Sequence, residues 1–249
     1  MSLSIDLSGK VALITGVTSG IGAGIARMLH AAGAVVAGCG LEAAFEDKSV
    51  SLYVATDVRV PEQLDALVAA TVDAFGRIDI VVSNAGANIF TGVTATTEAQ
   101  WQQNTDLNLA AHWRLCQRCR SWLEVSGSGV IVIVTSNHAY QTIPGCFPYN
   151  VTKAALTGMV RSIAIEWGPA IRCVGIAPGF IDTPGNQGWF NSFPDAAVER
   201  TRTVDSHPVK RLGTPDEIGA WCAFLASEYS AFASGTTYLL DGGRNALLQ

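Results

Sequence analysis

Three side chains that can move protons stand close together in the stretch SNHAYQTIPGCFPYNVTK. Ser136 opens the stretch, Tyr149 lies thirteen residues later, and Lys153 follows the tyrosine by four. If the second half is a helix, Tyr149 and Lys153 lie on one face within contact distance. A tyrosine has an unperturbed pKa of about 10, and a neighbouring ammonium favours its phenolate form. With Ser136 hydrogen-bonded to a substrate oxygen, the three residues could transfer a proton.

Taken alone, a tyrosine and a lysine at helical spacing indicate only an exposed aromatic ring beside a solvated lysine. A second motif, TGVTSGIG, joins a strand pattern to a helical pattern near the N-terminus. Gly16 allows a tight turn, Gly20 lets the backbone approach a phosphate, and Gly22 permits close packing of helix on strand. The helix N-terminus would then hold a pyrophosphate. Because the spacing differs from the commoner G-x-G-x-x-G, a glycine turn without a ligand is the alternative.

Seven short runs rich in β-branched residues alternate with five longer helical patterns along the chain. Most of the runs are apolar throughout, as strands buried on both faces are. This alternation predicts an α/β fold with a doubly wound, seven-stranded parallel sheet and helices on both faces. Residues 40–49 are too few for a crossover helix and predict a loop or one helical turn. No repeat or linker interrupts the pattern, so residues 1–249 are expected to form a single domain.

Two further segments follow predicted strands, at the sheet edge where open α/β folds bind ligands. In SNAGA, residues 83–87, small residues keep a cleft open and Asn84 can tie neighbouring strand ends together; a simple turn is the alternative. Residues 183–213 are rich in Gly, Pro, Asn and aromatic residues. We interpret this segment as a substrate lid, with a disordered surface loop as the alternative.

The composition limits the partners that the protein can have. Of 249 residues, 49% are hydrophobic and 15% are charged, which is typical of a well-buried globular enzyme. With a net charge of -5 and no basic run, the chain offers little to nucleic acid or an anionic membrane. No stretch approaches the roughly 18 apolar residues of a membrane span, and the N-terminus lacks the signal-peptide pattern. A cytoplasmic location without a membrane segment is therefore expected.

The cysteines and histidines give no metal-ligand pattern, so no metal site is predicted. Six cysteines are scattered without a framework spacing and are interpreted as buried free thiols. Cys116-x-x-Cys119 lies within a helical pattern, which favours a buried or interface helix face over redox or zinc chemistry. His138, two residues after Ser136, either lines a substrate cavity or lies in a surface turn.

Taken together, these motifs occur in one order at the ends of successive strands. They are Thr15-Gly16-x-x-x-Gly20-x-Gly22, Asn84-Ala85-Gly86, Ser136, Tyr149-x-x-x-Lys153 and Pro178-Gly179. As a set they resemble the classical short-chain dehydrogenase/reductase (SDR) family over essentially the whole chain. The resemblance implies a Rossmann-type fold and an NAD(P)-dependent oxidoreductase, in which the nicotinamide carries the hydride and the protein supplies position and a proton.

The resemblance also implies roles for individual residues. Tyr149 matches the acid/base, Lys153 the residue that lowers its pKa and holds the nicotinamide ribose, and Ser136 the residue that orients the substrate. Asn108 matches a helix-kinking asparagine whose bound water links the lysine to solvent. The positions matched to the cofactor are Gly16, Ser19, Gly20, Ile21, Gly22, Asp57, Val58, Asn84, Ala85, Gly86, Tyr149, Lys153, Pro178, Gly179, Ile181 and Thr183.

The choice between NAD and NADP is not encoded at the usual positions. The second strand ends at Gly40 and Leu41, where an acidic residue commonly accepts the ribose hydroxyls of NAD. Ser19 occupies the alternative position of a basic residue that pairs with the phosphate of NADP. Glu42 could reach back towards the ribose, which favours NAD slightly and leaves NADP open.

Substrate and assembly are predicted from weaker signals. His138, Gln141, Asn186 and Trp189 would give a pocket that hydrogen-bonds and stacks on a polyhydroxy substrate. The lid and the DGGRNAL tail look similar to those of bacterial sugar and polyol dehydrogenases, so oxidation of a sugar or polyol hydroxyl is the leading hypothesis. Reduction of a 3-oxoacyl or other small ketone is the alternative. A catalytically silent NAD(P)-binding sensor or scaffold is a third possibility. The resemblance implies a homotetramer.

Overall fold

A seven-stranded parallel sheet forms the centre of the protein in a computed structural model that describes residues 4–247. The order of the strands is β3-β2-β1-β4-β5-β6-β7. All neighbouring pairs are parallel, so the predicted doubly wound sheet is confirmed. The strands are β1 (Val11–Thr15), β2 (Val35–Gly40), β3 (Leu52–Ala55), β4 (Ile80–Ser83), β5 (Gly129–Val134), β6 (Ile171–Pro178) and β7 (Thr237–Leu240).

Helices cover both faces of the sheet. One apolar core lies between the sheet and α1 and α8, and the other between the sheet and α2, α4 and α5. None of the helices within residues 4–247 is long and apolar enough to cross a membrane. The eight helices are α1 (Gly20–Ala31), α2 (Pro61–Phe75), α3 (Glu98–Thr105), α4 (Ala111–Val125), α5 (Tyr149–Trp167), α6 (Pro184–Phe190), α7 (Ala196–Asp205) and α8 (Pro215–Ala226).

The six cysteines are all buried and unpaired, as predicted for free thiols. Cys116 and Cys119 lie on the face of α4 that packs on the sheet. Burial raises the pKa of the Cys116 thiol to about 12 and that of Cys119 further, so both stay protonated. The interpretation of this pair as part of a buried helix face is confirmed.

One predicted helix is divided in the structure. The pattern between residues 98 and 123 predicts a continuous helix, but a π-helical turn, Asp106–Ala110, separates α3 from α4. The extra residue of such a turn is common at functional sites. Residues 40–49, predicted as a loop or one helical turn, contain no helix, so the loop is the reading that the structure shows. The residues at both boundaries of the π turn, Thr105 and Ala111, have helical backbone angles, so no break in the chain direction marks it.

Residues 183–213 are more regular than their composition indicates. Thr183 caps α6 by accepting from Asn186 N at 3.2 Å, and Pro184 stands at the first helical position. Asp195 caps α7 in the same way. The two ends of the segment meet in a backbone bridge, in which Asp182 N donates to Gly213 O at 2.8 Å. Caps rather than a long apolar stripe define these short helices.

The first helix is held by direct contact with the last. A Cβ atom on Gly24 of α1 would lie 2.6 Å from Pro215 Cβ, and one on Gly219 of α8 would lie 2.8 Å from Met28 Cγ. Only glycine permits this approach of the two backbones. The contact fixes the position of α1, whose first turn carries Gly20 and Gly22.

Candidate active site

Ser136, Tyr149 and Lys153 come together at the carboxyl edge of the sheet. Ser136 follows β5, Tyr149 is the first residue of α5, and Lys153 lies one turn further along that helix. All three side chains are buried and line the same cavity. Lys153 Nζ lies 5.6 Å from the centre of the Tyr149 ring and donates to Val134 O at 3.0 Å. The predicted helix is confirmed, and it presents both side chains to one space.

Burial sets the protonation of this group. It raises the pKa of Tyr149 to about 12, and a hydrogen bond with the Ser136 hydroxyl opposes the rise only in part. Burial also lowers the pKa of Lys153 to about 8. The sequence predicts that the lysine brings the pKa of the tyrosine down, but the loss of water around the phenol outweighs any such effect. Tyr149 is therefore a neutral phenol at pH 7.

Two aromatic rings surround Tyr149. Its ring centre lies 5.3 Å from that of Phe90 and 6.2 Å from that of His138, both edge to face. Burial and the charge of Arg244 lower the pKa of His138 to about 4, so the imidazole is neutral at pH 7. Within residues 4–247, its Nδ1 is buried without a hydrogen-bond partner. His138 thus lines the cavity rather than a surface turn.

Asn108 lies in the π-helical turn, directly beneath the cavity. Its Nδ2 donates to Ala87 O at 3.0 Å and to Asn104 Oδ1 at 2.8 Å, and its Oδ1 accepts from Ala87 N at 3.1 Å. A Cβ atom on Gly86 would lie 2.7 Å from Asn108 Oδ1 and 3.5 Å from Lys153 Nζ. The absence of a side chain at Gly86 therefore lets the asparagine and the lysine approach the same backbone segment.

The glycine loop forms a cradle between β1 and α1. Gly16 and Gly20 have positive φ angles of 75° and 55°, and a Cβ atom on Gly22 would overlap the Gly16 carbonyl. Asn84 Nδ2 donates to Thr15 O at 2.8 Å, so the asparagine ties the ends of β1 and β4 together. Among residues 4–247, no side chain caps the N-terminus of α1. This cradle fits a pyrophosphate.

A single cavity of about 1280 Å³ joins the glycine loop to Tyr149 and continues to the segment 183–213. Every position that the sequence matches to a cofactor lines it. At one end lie residues that follow β2 and β3, among them Glu42, Asp57 and Arg59. At the other end lie Trp189, Phe193 and the predicted substrate residue Asn186.

The chain is similar to known proteins over nearly its whole length. A family model described as Enoyl-(Acyl carrier protein) reductase matches residues 16–245. The human protein Dehydrogenase/reductase SDR family member 4 is 34% identical, over 95% of this chain and 88% of its own length. The chain belongs to the classical short-chain dehydrogenase/reductase family. A rabbit (Oryctolagus cuniculus) L-fucose dehydrogenase is 34% identical, over 98% of this chain and 87% of its own length.

Solved structures of dehydrogenases have the same fold as this short-chain dehydrogenase. The ligand-free aldohexose dehydrogenase of Thermoplasma acidophilum superposes with a TM-score of 0.94 at 27% identity. The match covers 99% of this chain and 98% of the other. The family membership makes the protein an oxidoreductase of the NAD(P)-dependent kind.

One predicted substrate residue of this dehydrogenase lies outside the cavity. Gln141 is exposed, and its Nε2 donates to Asn245 O at 3.1 Å. The short helical turn Asn137–Ala139 carries the chain away from Tyr149 before Gln141 is reached. The structure therefore does not bring Gln141 to the cavity with the other predicted substrate residues.

Two further residues of this short-chain dehydrogenase were not found from the sequence. Asn104 holds Asn108 and also donates to Pro148 O at 3.2 Å, which joins the π turn to the start of α5. Its spacing of four residues from Asn108 was the available signal. Arg244 lines the cavity beside His138, and no motif marks it.

Proposed function

We propose that the protein oxidises a hydroxyl group of a sugar or polyol, with Tyr149 as the acid/base. One observation carries the proposal: Ser136, Tyr149 and Lys153 line the same cavity as the glycine loop. A bound nicotinamide would accept the hydride. The glycine loop and the α1 N-terminus would hold its pyrophosphate, and the residues after β4 and β6 would line its ribose and carboxamide.

The side chains would divide the remaining work among them. Ser136, whose hydroxyl is buried and near that of Tyr149, would hydrogen-bond the reacting oxygen. Tyr149 would take the proton of the substrate hydroxyl once its own proton has left. The neutral fraction of Lys153, whose pKa is about 8, would accept the proton that Tyr149 releases and pass it to solvent. Asn108 would hold the backbone beside the lysine.

The sugar class is supported by the substrate end of the cavity. Polar side chains of His138 and Asn186 line the cavity together with the aromatic rings of Trp189 and Phe193. Hydrogen-bonding groups select hydroxyl-bearing substrates because an apolar analogue would leave them unpaired. Two proteins with similar sequence or structure are named for sugars, an L-fucose dehydrogenase and an aldohexose dehydrogenase.

Reduction of a 3-oxoacyl or other small ketone is the second candidate. It is favoured by an apolar wall of Phe90, Ile143 and Pro144 on one side of the cavity. The test is the near-ultraviolet absorbance of reduced nicotinamide, followed with aldoses, polyols, simple secondary alcohols and, in reverse, with ketones. Turnover of polyhydroxy compounds supports the sugar proposal. Turnover of ketones alone would replace it, and cofactor binding without any hydride transfer would favour the silent sensor.

The preference for NAD can be argued from the charges near Gly40. Glu42 Oε2 would lie 2.7 Å from a Cβ atom on Gly40, so the carboxylate leans over the end of β2. Tyr53 donates to Glu42 O at 2.7 Å and fixes this residue. Arg59, the nearby cation of the cavity, is held by Asp57 at 2.6 Å. The Glu42 carboxylate would repel the extra phosphate of NADP, and the Arg59 guanidinium, already paired with Asp57, would attract it little, so we propose NAD.

Replacing Glu42 by glutamine should therefore relax the choice of cofactor. The ratio of kcat/KM with NADP to that with NAD should rise by about tenfold, since one repelled charge near the ribose is removed. Glu46→Gln, on the same exposed loop but away from the cavity, is the matched control. An unchanged ratio in Glu42→Gln, or an equal rise in both variants, would show that Glu42 does not set the preference.

We also propose that residues 183–213 act as a lid over the substrate. Trp189 and Phe193 of this segment line the cavity, and they contact each other with ring centres 4.7 Å apart. The two aromatic rings exclude water from that side. Closure on substrate would bring them over the reacting carbon, as lids do in many enzymes.

A homotetramer is proposed for the assembly. Large apolar side chains are exposed on α4 and α5, and others on α8 and beyond it, namely Trp113, Val151, Ile165, Trp221, Phe232 and Leu239. Exposed apolar surface of this extent is typical of contacts between subunits. Sedimentation of the protein as a monomer at micromolar concentration would reject this proposal.

A further inference from the structure

The substrate end of the cavity contains a guanidinium group that the proposed chemistry does not use. Arg244 is half-buried and lines the cavity. Within the part of the chain from residue 4 to residue 247, its side chain has no hydrogen bond or ion pair, unlike the guanidiniums of Arg59 and Arg211. Burial lowers the pKa of Arg244, although the group stays charged. The charges of Asp241 and Glu199 act on Arg244, but neither carboxylate pairs with it within residues 4–247, so a bound anion would stabilise the half-buried guanidinium.

The backbone turn that carries Arg244 is rigidly built. Gly242 and Gly243 have positive φ angles of 61° and 82°, which place the arginine directly after β7. Asp241 accepts from Gly243 N at 3.0 Å and from Asn245 N at 2.7 Å. The carboxylate of Asp241 is thus occupied by backbone N–H groups below the turn.

Asn245 fastens this turn to the loop of Ser136. Its Nδ2 donates to Asn137 O at 3.3 Å, and its backbone oxygen accepts from Gln141 Nε2 at 3.1 Å. Gln141, which does not reach the cavity, therefore helps to hold the arginine beside it. Arg244 is close enough to His138 for its charge to lower the pKa of that imidazole. His138 in turn lies 6.2 Å from Tyr149, measured between ring centres.

The other charged groups on this side leave a positive balance. Arg202 and Glu199 of α7 also line the cavity, and Arg202 Nη1 lies 3.4 Å from Glu199 Oε2. The carboxylate of Glu199 is already paired with Arg202, whose side chain is exposed. These cavity-lining side chains are thus two guanidiniums and one carboxylate, and Asp241, whose charge also acts on Arg244, does not line the cavity. The space that they line favours a negatively charged group on a bound molecule.

We infer that the substrate carries an anionic oxygen group, a carboxylate or a phosphate ester, that binds Arg244. The inference rests on the proposed oxidation of a polyhydroxy compound and adds that this compound is negatively charged. The reacting hydroxyl lies at Tyr149, and the anionic group lies beyond His138. The planar guanidinium can donate two parallel hydrogen bonds to either kind of group.

Binding to the complex with reduced cofactor tests the inference, because no turnover takes place there. The probes are matched pairs, gluconate with glucitol and galactonate with galactitol, and glucitol 6-phosphate for the phosphate ester. Calorimetry should show at least one charged probe binding at least about tenfold more tightly than its neutral partner. Arg244→Gln should remove that preference and leave the neutral affinity unchanged, and Arg244→Lys should retain part of it. Arg211→Gln, outside the cavity, is the control.

The two charged series distinguish the source of the anion. A preference for the aldonates identifies a carboxylate, and a preference for glucitol 6-phosphate identifies a phosphate ester. The inference is overturned if charged and neutral probes bind equally or if no probe binds. It is also overturned if Arg244→Gln lowers the affinity for all probes by the same factor. Hydride transfer from neutral polyols, without any preference for charged probes, overturns the inference about Arg244 and leaves the proposed function standing. Arg244-dependent anion binding without any hydride transfer overturns the proposed function instead.

Discussion

Replacing Tyr149 by phenylalanine is expected to reduce kcat by about 10²- to 10⁴-fold while the affinity for the cofactor is kept. The change removes only the hydroxyl that lies near Ser136. The ring remains, and with it the edge-to-face contact at 5.3 Å with Phe90. Steady-state rates of nicotinamide reduction, together with a fluorescence titration of the reduced cofactor, measure the two quantities separately.

Tyr140→Phe is the matched control for this variant. Tyr140 is exposed, lies outside the cavity, and donates only weakly to Thr237 O at 3.4 Å. Its replacement should leave kcat unchanged. If Tyr149→Phe kept the rate of the unaltered protein, another group would be the acid/base, and the proposed role of Tyr149 would have to be withdrawn.

Replacing Lys153 by methionine is expected to abolish turnover and yet to stabilise the folded protein at neutral pH. Burial lowers the pKa of Lys153 from 10.5 to about 8. At about 1.4 kcal/mol per pKa unit, the buried ammonium destabilises the fold by about 3 kcal/mol. Loss of the bond from Nζ to Val134 O offsets about 1 kcal/mol of the gain. The free energy of unfolding should rise by about 2 kcal/mol at pH 7.

The pH dependence of this gain has a definite sign. Below pH 8 the lysine is charged in both the folded and the unfolded chain, so the full burial penalty applies. Between pH 8 and 10.5 the unfolded chain binds a proton that the folded chain has released, so the stability contributed at this site rises with pH. Above that window both states are neutral. The advantage of the methionine variant should therefore shrink towards pH 10.

Urea denaturation of the cofactor-free protein at pH 7 and pH 10 measures this difference. Lys48→Met, at an exposed position, should change the free energy of unfolding by less than about 0.5 kcal/mol at either pH. A Lys153→Met variant that is less stable than the unaltered protein at pH 7 would mean that the ammonium is solvated within the cavity. The stated pKa would then be wrong.

The parts of the site that follow from local spacing could be predicted from the sequence. Tyr149 and Lys153 share a face because four residues make about one helical turn. Asn84 ties strand ends because β1 and β4 are neighbours at the point where a doubly wound sheet reverses its order. In both cases the relevant partner is fixed by the period of one element or by the order of strands.

The parts that depend on contacts between distant segments could not be predicted. Asn104 acts through Pro148, 44 residues away, and Asn245 through Asn137, 108 residues away. The pKa of Tyr149 depends on how much water the packed cavity excludes, which residue types alone do not determine. Gln141 was assigned to the substrate because it follows Ser136 closely, but one helical turn directs it to Asn245.

The backbone bridge between Asp182 and Gly213 makes the intervening segment an exchangeable module. Both of its ends are anchored at one point, with hydrogen bonds of 2.8 Å and 3.1 Å at Gly213. A replacement of different length could start and finish there without altering the path of β6 or α8, because the cost of closing a loop grows slowly with its length. The substrate range of such a dehydrogenase can therefore diversify by exchange of this insert, while the cofactor cradle and the proton-transferring residues remain unchanged.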